Sequence, residues 1–263
     1  MPIIGIDYGK CTNCKQCLKD CPTRNFSLDD NQKLVIFDNI RCILCGHCIA
    51  VCPEKAILYS EMKGEALEYQ EGCDLCELVS YETMTLLLRS KRSIRQYKEE
   101  KVSENKIKKV IKSMSYAPTG ANMRFLKCLV ISDKDKIKEL SDSIMEALEY
   151  GEVRDRLIQR RDKGIDPIFY KAPVVLILYS RNPWDTRNST IAMTYGMLAA
   201  QTLGLGSCWI GYAHGILIEH PQLCKKLTGI QTHVLGVITL GYPAVKYYRA
   251  PPRSLMEIRG LPT

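Results

Sequence analysis

Residues 11–22 have the sequence CTNCKQCLKDCP, and residues 42–53 have the sequence CILCGHCIAVCP. The cysteines and the closing proline of the first stretch recur in the second at an offset of 31 residues. Thiolates at this spacing bind 4Fe–4S clusters, and the fourth cysteine of each run binds the other cluster. We therefore predict one cluster on Cys11, Cys14, Cys17 and Cys52, and a second on Cys42, Cys45, Cys48 and Cys21.

Disulfide bonds and zinc sites are the two other roles open to these cysteines. Disulfides need an oxidising compartment, and no charged and apolar leader stands before Cys11. Structural zinc is usually held by two cysteine pairs with a longer gap between them. The spacing favours clusters over both alternatives, and residues 1–60 resemble a bacterial two-cluster ferredoxin over nearly their whole length.

A chain of 263 residues is long enough for one large domain or two ordinary ones. Its longest wholly apolar stretch, Val174 to Tyr179, is far too short to span a bilayer. We expect no membrane association and a location in the cytoplasm, where thiols stay reduced. We divide the chain into a two-cluster domain at 1–60, a linker with a short helix at 61–79, and a second domain at 80–263.

The second domain mixes helix and strand patterns. Apolar residues at helical spacing predict helices over Tyr81–Leu88, capped by Ser80, over Ile107–Met114, over Ile137–Leu148, capped by Asp133 and ended by Gly151, over Ile191–Leu203, and around Pro221–Leu227. Strands are predicted at Leu126–Ser132, Pro173–Ser180, Ser207–Ile210 and Val234–Leu240. The order lacks the strict alternation of a doubly wound sheet, so we expect an α+β fold.

Two short segments of this domain carry polar groups suited to a ligand. Residues 91–97 have the sequence KRSIRQY, in which Arg92 and Arg95 can bind phosphate oxygens in pairs and Ser93 adds a neutral donor. Residues 117–122 have the sequence APTGAN, a tight turn that presents main-chain amides and the side-chain amide of Asn122. Taken singly, the first could also be a solvated basic stretch and the second an ordinary turn.

Together and in this order, the two segments resemble the flavin-dependent nitroreductase family, whose members have an Arg-Arg-Ser-Ile-Arg-like segment and then an Ala-Pro-Ser-Gly-x-Asn-like turn. The resemblance continues through GLGSCWIG at 204–211 and LGYP at 240–243, and covers about residues 80–263. The chain departs from the family pattern at Lys91, where arginine is usual, and at Met123-Arg124-Phe125, where Gln-Pro-Trp is more typical.

The resemblance implies an FMN-dependent enzyme that forms a homodimer with swapped terminal segments and holds FMN in a groove between the subunits. It places Lys91, Arg92, Ser93, Arg95 and Arg253 at the phosphate and the ribityl chain. It places Pro118, Thr119, Gly120 and Asn122 near the flavin of the other subunit, and Ile210 and Gly211 beside the isoalloxazine ring. No side chain is indicated as a catalytic acid.

Other candidate residues have simpler interpretations. Gly204 and Gly206 lie between a helix and a strand, in the reverse order to a dinucleotide-binding fingerprint, so we expect them to end the helix. Cys73 and Cys76 have no second pair nearby and are expected to be free thiols. His47 either tunes a cluster or faces solvent, and His214 either reaches the substrate groove or is structural.

The formal charge of +8 does not indicate nucleic-acid binding. Two loaded clusters and an FMN phosphate would lower the charge to about +2. The lysines of residues 98–138 are interspersed with acidic residues and are not accompanied by an aromatic platform.

The two parts together predict an iron–sulfur flavoprotein oxidoreductase. It would pass electrons from the clusters to FMN and on to a small conjugated acceptor: a nitroaromatic, an azo compound, a quinone or an enone. A separate ferredoxin or NAD(P)H would be the electron donor. Two alternatives stay open, an electron carrier that serves a partner protein and a reductive dehalogenase or flavin-modifying relative on the same scaffold.

Overall fold

The structure, a computed structural model, describes residues 3–31, 33–39, 41–60, 67, 69 and 75–260. The chain forms two compact units: residues 1–78 with 119–124, and residues 79–118 with 125–263. Most of the predicted linker at 61–79, including Cys73, lies outside the described residues. The predicted domain boundaries therefore stay predictions.

The described part of the first unit is built from two small antiparallel sheets and short helices. Its elements are β1 (Ile3–Ile6), α1 (Gln16–Asp20), β2 (Phe26–Leu28), β3 (Val35–Phe37), α2 (His47–Val51), β4 (Ile57–Tyr59) and α3 (Leu75–Leu78). Strand β1 pairs with β4, and β2 pairs with β3. The core is small, with Phe26 and Val35 among its buried side chains. A core of this size needs further cross-links, which cluster ligation would supply.

The sequence repeat is also a structural repeat. Helices α1 and α2 are related by the 31-residue offset and have five residues each. Left-handed backbone recurs at the same offset, at Asn13 (φ 54°) and Leu44 (φ 57°), and at Lys15 (φ 62°) and Gly46 (φ 77°). This conformation costs non-glycine residues roughly 1–2 kcal/mol. Its recurrence shows that both cysteine loops follow the same strained path.

The second unit contains a four-stranded antiparallel sheet and several helices. Its elements are α4 (Tyr81–Ser90), α5 (Glu104–Met114), β5 (Lys127–Ile131), α6 (Lys134–Ala147), α7 (Glu152–Asp162), β6 (Val174–Ser180), α8 (Thr186–Thr202), β7 (Gly206–Trp209), α9 (Gly211–Glu219), α10 (Pro221–Thr228) and β8 (His233–Gly241). The strand order is β5-β6-β8-β7.

The central strand β6 is buried on both faces because helices cover both sides of the sheet. Val175 and Ile177 pack in one core cluster with residues of α6, α7, α9 and α10. The alternate residues Leu176 and Leu178 pack in the other cluster with residues of α5 and α8. This double burial explains why the sequence of β6 is continuously apolar instead of alternating.

The predicted helices and strands of this unit are confirmed, with two additions. The side chains of Ser80 and Asp133 cap α4 and α6 as predicted, accepting hydrogen bonds from the main-chain N–H groups of Thr83 and Lys136. Helix α6 ends at Ala147, so Gly151 does not end it but immediately precedes α7. Helices α7 and α9 were not predicted.

Candidate cofactor sites

Two cavities in the first unit are each lined by four cysteines. One is lined by Cys11, Cys14, Cys17 and Cys52. The other is lined by Cys21, Cys42, Cys45 and Cys48. Each cavity thus takes three cysteines from one run and the fourth from the other run, and these are the two sets that the spacing predicts. No disulfide joins any of the eight cysteines.

Main-chain N–H groups point at cysteine sulfurs in both halves of the repeat. Asn25 N–H donates to Cys21 Sγ, and Ala56 N–H donates to Cys52 Sγ, each at 3.3 Å and at corresponding positions of the repeat. Asn13 N–H donates to Cys11 Sγ at 3.4 Å. Such N–H···S bonds stabilise thiolate and are one of the ways in which a protein sets the potential of an iron–sulfur cluster.

One thiol in each cavity, Cys17 in the first and Cys48 in the second, lies in an environment that opposes deprotonation. Burial, together with the nearby Cys42, Cys45 and Cys21, raises the pKa of Cys48 to about 12. Burial and neighbouring cysteines also raise the pKa of Cys17. Four thiolates in one place need a compensating positive charge, which iron would supply. The donors and their environment therefore fit 4Fe–4S clusters.

The two cysteine loops are held differently. In the first loop, the side chain of Asn13 donates to Lys33 O at 3.0 Å and accepts from Val35 N–H at 3.1 Å. The corresponding residue in the second loop is Leu44, whose side chain cannot make hydrogen bonds. There, the side chain of Asn122 donates to the main-chain oxygens of Ile43 at 3.0 Å and Leu44 at 2.7 Å.

In the second unit, the segment 91–97 lies along the first part of β7. Ser93 forms a parallel bridge with Ser207, and Ile94 N–H donates to Ser207 O at 3.1 Å. The side chain of Ile94 lies directly over Gly206, where an added Cβ would come within 2.4 Å of it. The glycine therefore allows the segment to approach the strand closely.

The cationic residues of this segment differ in burial. Lys91 is half-buried, and its Nζ donates to Arg92 O at 2.7 Å and to Ser207 O at 3.3 Å. Burial lowers the pKa of Lys91. Arg92 donates to the main-chain oxygens of Lys91 and Arg89. Arg95 is exposed and lies over the ring of Tyr170, with its Cζ 5.9 Å from the centroid.

A buried polar atom without a partner lies beside this segment. Ser207 is buried, and its Oγ has no hydrogen-bond partner among the described residues. A buried hydroxyl left unsatisfied costs about 1–3 kcal/mol. A ligand with polar oxygens bound beside Lys91 and Ser93 would satisfy this hydroxyl, so the segment fits a phosphorylated cofactor.

The other predicted FMN contacts are distributed over both units. Ile210 is buried between β7 and α9, and the next residue, Gly211, is exposed as the first residue of α9. Pro118 belongs to the second unit, whereas Thr119, Gly120 and Asn122 belong to the first. Arg253 is exposed in a stretch without regular secondary structure.

His214 lies on α9, and the edge of its ring meets Trp209 at a centroid distance of 5.7 Å. Its Nε2 is buried without a hydrogen-bond partner in the described structure, and burial lowers the pKa of the imidazole. Burial therefore favours the neutral form of the imidazole, and the ring contact with Trp209 lies within the second unit. His47, at the start of α2, is exposed and borders the second cysteine cavity.

A model of the nitroreductase family matches residues 88–242. The chain belongs to the nitroreductase family. A model of the 4Fe-4S dicluster domain matches residues 10–57. The ferredoxin–nitroreductase organisation predicted from the sequence is therefore confirmed, as are the α+β fold and the enzyme class, a nitroreductase-type oxidoreductase.

Individual relatives agree with this organisation. An Archaeoglobus fulgidus protein with the provisional name NADH dehydrogenase/NAD(P)H nitroreductase is 27% identical over 172 residues, which are 64% of this chain and 90% of its own. A ferredoxin of Methanothermococcus thermolithotrophicus is 35% identical over 60 residues, 22% of this chain and 98% of its own. The crystal structure of a Bacteroides fragilis nitroreductase with bound FMN has a TM-score of 0.54 at 23% identity, covering 66% of this chain and 98% of its own, and shows the shared fold.

No described helix is both long and apolar enough to cross a bilayer.

Two features of the sites were not found from the sequence. Ser207 was predicted only as part of a strand and of a family motif, although it contacts the predicted phosphate segment directly. The position of Asn122 on the second cysteine loop had no sequence signal, because 78 residues separate it from Leu44.

Proposed function

We propose that this nitroreductase-family oxidoreductase passes electrons from two 4Fe–4S clusters to FMN and then to a small conjugated acceptor, such as a nitroaromatic, an azo compound, a quinone or an enone. The observation that carries the proposal is the pair of four-cysteine cavities in a chain whose residues 88–242 match the nitroreductase family. Joining donor and acceptor in one chain raises the effective concentration of one near the other.

The cofactors would supply the redox chemistry: single electrons from the clusters and two-electron chemistry from the flavin. The role of the chain is to bind and orient them. Lys91, Arg92 and Arg95 carry positive charge in one short segment, and guanidinium groups bind phosphate oxygens in pairs. Ser93 and the unsatisfied Ser207 Oγ add neutral hydrogen-bonding groups beside them.

No acidic side chain makes an ion pair with the cations of 91–97 in the described structure. Lys91 is partly buried, and its ammonium group donates hydrogen bonds to the main-chain oxygens of Arg92 and Ser207. An ammonium group that is desolvated without a counter-ion favours an anionic ligand. This charge balance supports a phosphate at the segment, and FMN is the phosphorylated cofactor bound by the Bacteroides fragilis relative.

We further propose a homodimer in which the carboxy-terminal segments are exchanged. Residues 246–260 have no regular secondary structure and are exposed throughout. The segment carries large apolar side chains at Tyr248, Leu255 and Met256, which are 81%, 80% and 79% exposed. Apolar groups of this size are usually covered in the functional assembly.

We also propose that the protein is located in the cytoplasm and that a ferredoxin or NAD(P)H is its electron donor.

The test is an anaerobic visible spectrum of the purified protein with iron, sulfide and flavin counts. About eight irons and one FMN per chain are expected if every site is filled. Reduced protein should then turn over nitroaromatics, quinones or azo dyes in a steady-state assay. Protein that contains clusters and no flavin would contradict the proposal. Loaded protein that reduces a redox protein and none of the small molecules would support an electron carrier instead.

A further inference from the structure

The side-chain amide of Asn122 makes contacts that flavin binding does not explain. Its Nδ2 donates to the main-chain oxygens of Ile43 and Leu44, and its Oδ1 accepts from Nε of Arg124 at 3.0 Å. The bond from Arg124 fixes which end of the amide carries the hydrogens. All four residues belong to the first unit.

The two carbonyl groups that Asn122 holds lie between two predicted cluster ligands, Cys42 and Cys45. The peptide groups that contain these carbonyls carry the N–H groups of Leu44 and Cys45. A hydrogen bond to a carbonyl polarises its peptide group and makes the N–H of that group a stronger donor. Stronger N–H donors around the sulfurs of a cluster stabilise its reduced, more negative state.

Among the described residues, no side-chain amide makes an equivalent contact with the first cysteine loop. The side chain of Asn13, at the position of Leu44, bonds to Lys33 O and Val35 N–H. It does not bond to the main-chain oxygens of its own loop in the described structure. The two cavities are therefore not equivalent, although the cysteine pattern repeats. The difference is a polar side chain outside the repeat that is bound to the second loop.

We propose that Asn122 is a positioning residue of the second cluster, the one ligated by Cys21, Cys42, Cys45 and Cys48, and that it raises the reduction potential of that cluster. The inference rests on the proposed function for the presence of the clusters. With both clusters bound, the second cluster would hold an electron more readily than it would without the Asn122 contacts, and no proton would need to be transferred.

The experiment is a redox titration of full-length, anaerobically loaded protein, followed by electron paramagnetic resonance. In Asn122→Leu, we expect the ratio of reduced to oxidised second cluster to fall about tenfold at a fixed potential, equal to about 59 mV for a one-electron couple. The first cluster should be unchanged. Cys14→Ser and Cys45→Ser variants, each altering one predicted ligand set, assign the two signals.

Asn13→Leu is the matched control, because Asn13 and Asn122 both have left-handed backbones, with φ of 54° and 53°. It imposes the same backbone strain and should affect the first cluster alone. If Asn122→Leu loses iron, the Asn122→Asp variant tests the inference instead. Aspartate keeps the size of the side chain but places a negative charge at the carbonyls, so it should lower the potential of the second cluster more than Asn122→Leu would.

Unchanged cluster potentials in Asn122→Leu with full iron content would overturn the inference. Equal shifts in both clusters would overturn it too, because the effect would then not be local to the second loop. Loss of FMN affinity without any change in the clusters would assign Asn122 to the flavin instead. Failure of the proposed function is distinguishable, because a protein without flavin or turnover still gives readable cluster titrations.

Discussion

Lys91 shows at the scale of one residue how burial and charge combine at the predicted phosphate segment. Its ammonium group is half-buried and bonds to the main-chain oxygens of Arg92 and Ser207. Burial is the main cause that lowers its pKa. The residue therefore keeps its charge over a narrower pH range than an exposed lysine, whereas the arginine usual in the family would stay charged throughout.

The first prediction concerns the pH dependence of FMN binding. Because the charged form of Lys91 binds phosphate and its pKa is lowered, FMN affinity should decline as pH rises, starting below the usual lysine range. In Lys91→Arg this alkaline decline should disappear, since arginine does not deprotonate there. Fluorescence titrations of FMN between neutral and alkaline pH measure the effect. Identical pH profiles for both proteins would contradict a role of Lys91 at the phosphate.

The second prediction uses two arginines that share one aromatic neighbour. Arg95 and Arg160 both lie over Tyr170, at 5.9 Å and 5.8 Å, but only Arg95 belongs to the 91–97 segment. Arg95→Gln should weaken FMN binding by about 10- to 100-fold, the effect of losing a charged hydrogen bond worth about 1.5–3 kcal/mol. Iron content should stay constant. Arg160→Gln is the control and should leave FMN affinity unchanged; a similar loss in both variants would indicate a packing effect through Tyr170.

At the scale of elements, the approach of the 91–97 segment to β7 depends on one glycine. A Cβ at Gly206 would meet the Cγ1 of Ile94 at 2.4 Å and the Cβ of Ile94 at 2.8 Å. Ile94 is buried, so its side chain cannot turn away into solvent. A substitution there pushes the predicted phosphate segment away from the strand and from the unsatisfied Ser207 hydroxyl.

The third prediction follows from this contact. Gly206→Ala should destabilise the protein by about 1–3 kcal/mol through overpacking, and it should weaken FMN binding as well. Gly215→Ala is the matched control, because nothing lies within 4 Å of a Cβ at this position in α9. It should be neutral or slightly stabilising. Thermal unfolding with and without FMN separates the two effects, and an unaltered Gly206→Ala protein would contradict the close packing.

The fourth prediction tests the crossed arrangement of the cysteine runs. Cys21 belongs to the first run in sequence but lines the cavity of the second run. Cys21→Ala should therefore remove the same cluster as Cys45→Ala, leaving about four irons per chain. Paramagnetic resonance of the two variants should show the same remaining signal. Cys128→Ala, in β5, is the control and should keep full iron content; a Cys21→Ala protein that resembles Cys14→Ala would contradict the crossing.

At the scale of the whole molecule, the carboxy-terminal segment is an exposed apolar feature that the fold of one chain leaves without explanation. The fifth prediction is that replacing Tyr248, Leu255 and Met256 together by serine converts a dimer into a monomer and lowers FMN content. Light scattering coupled to size-exclusion chromatography measures the mass. Trp184→Ser, which removes a side chain that is 83% exposed elsewhere in the second unit, should stay dimeric. A dimeric triple variant would rule out the exchanged segment as the interface.

Helices α7 and α9, which were not predicted from the sequence, lack the regular spacing of apolar residues that identifies an amphipathic helix. Seven of the eleven residues of helix α7 are charged, and Leu157 is its one buried residue, so no long apolar stripe marks it. Helix α9 is the opposite case, because apolar residues occur on all its sides and the strand before it is apolar as well. Amphipathic period is the signal that identifies a helix, and neither segment has it.

The sequence by itself determined the cluster-binding unit and the family of the larger unit, because cluster ligands are spaced within a few residues and the spacing records their geometry directly. Capping residues such as Ser80 and Asp133 are equally local and were predicted from their neighbours. Only the tertiary structure decided that Ser207 lies against Ser93 and that Asn122 holds the second cysteine loop. These contacts join residues far apart in the chain, and the packing of the folded units, which no short segment encodes, selects them.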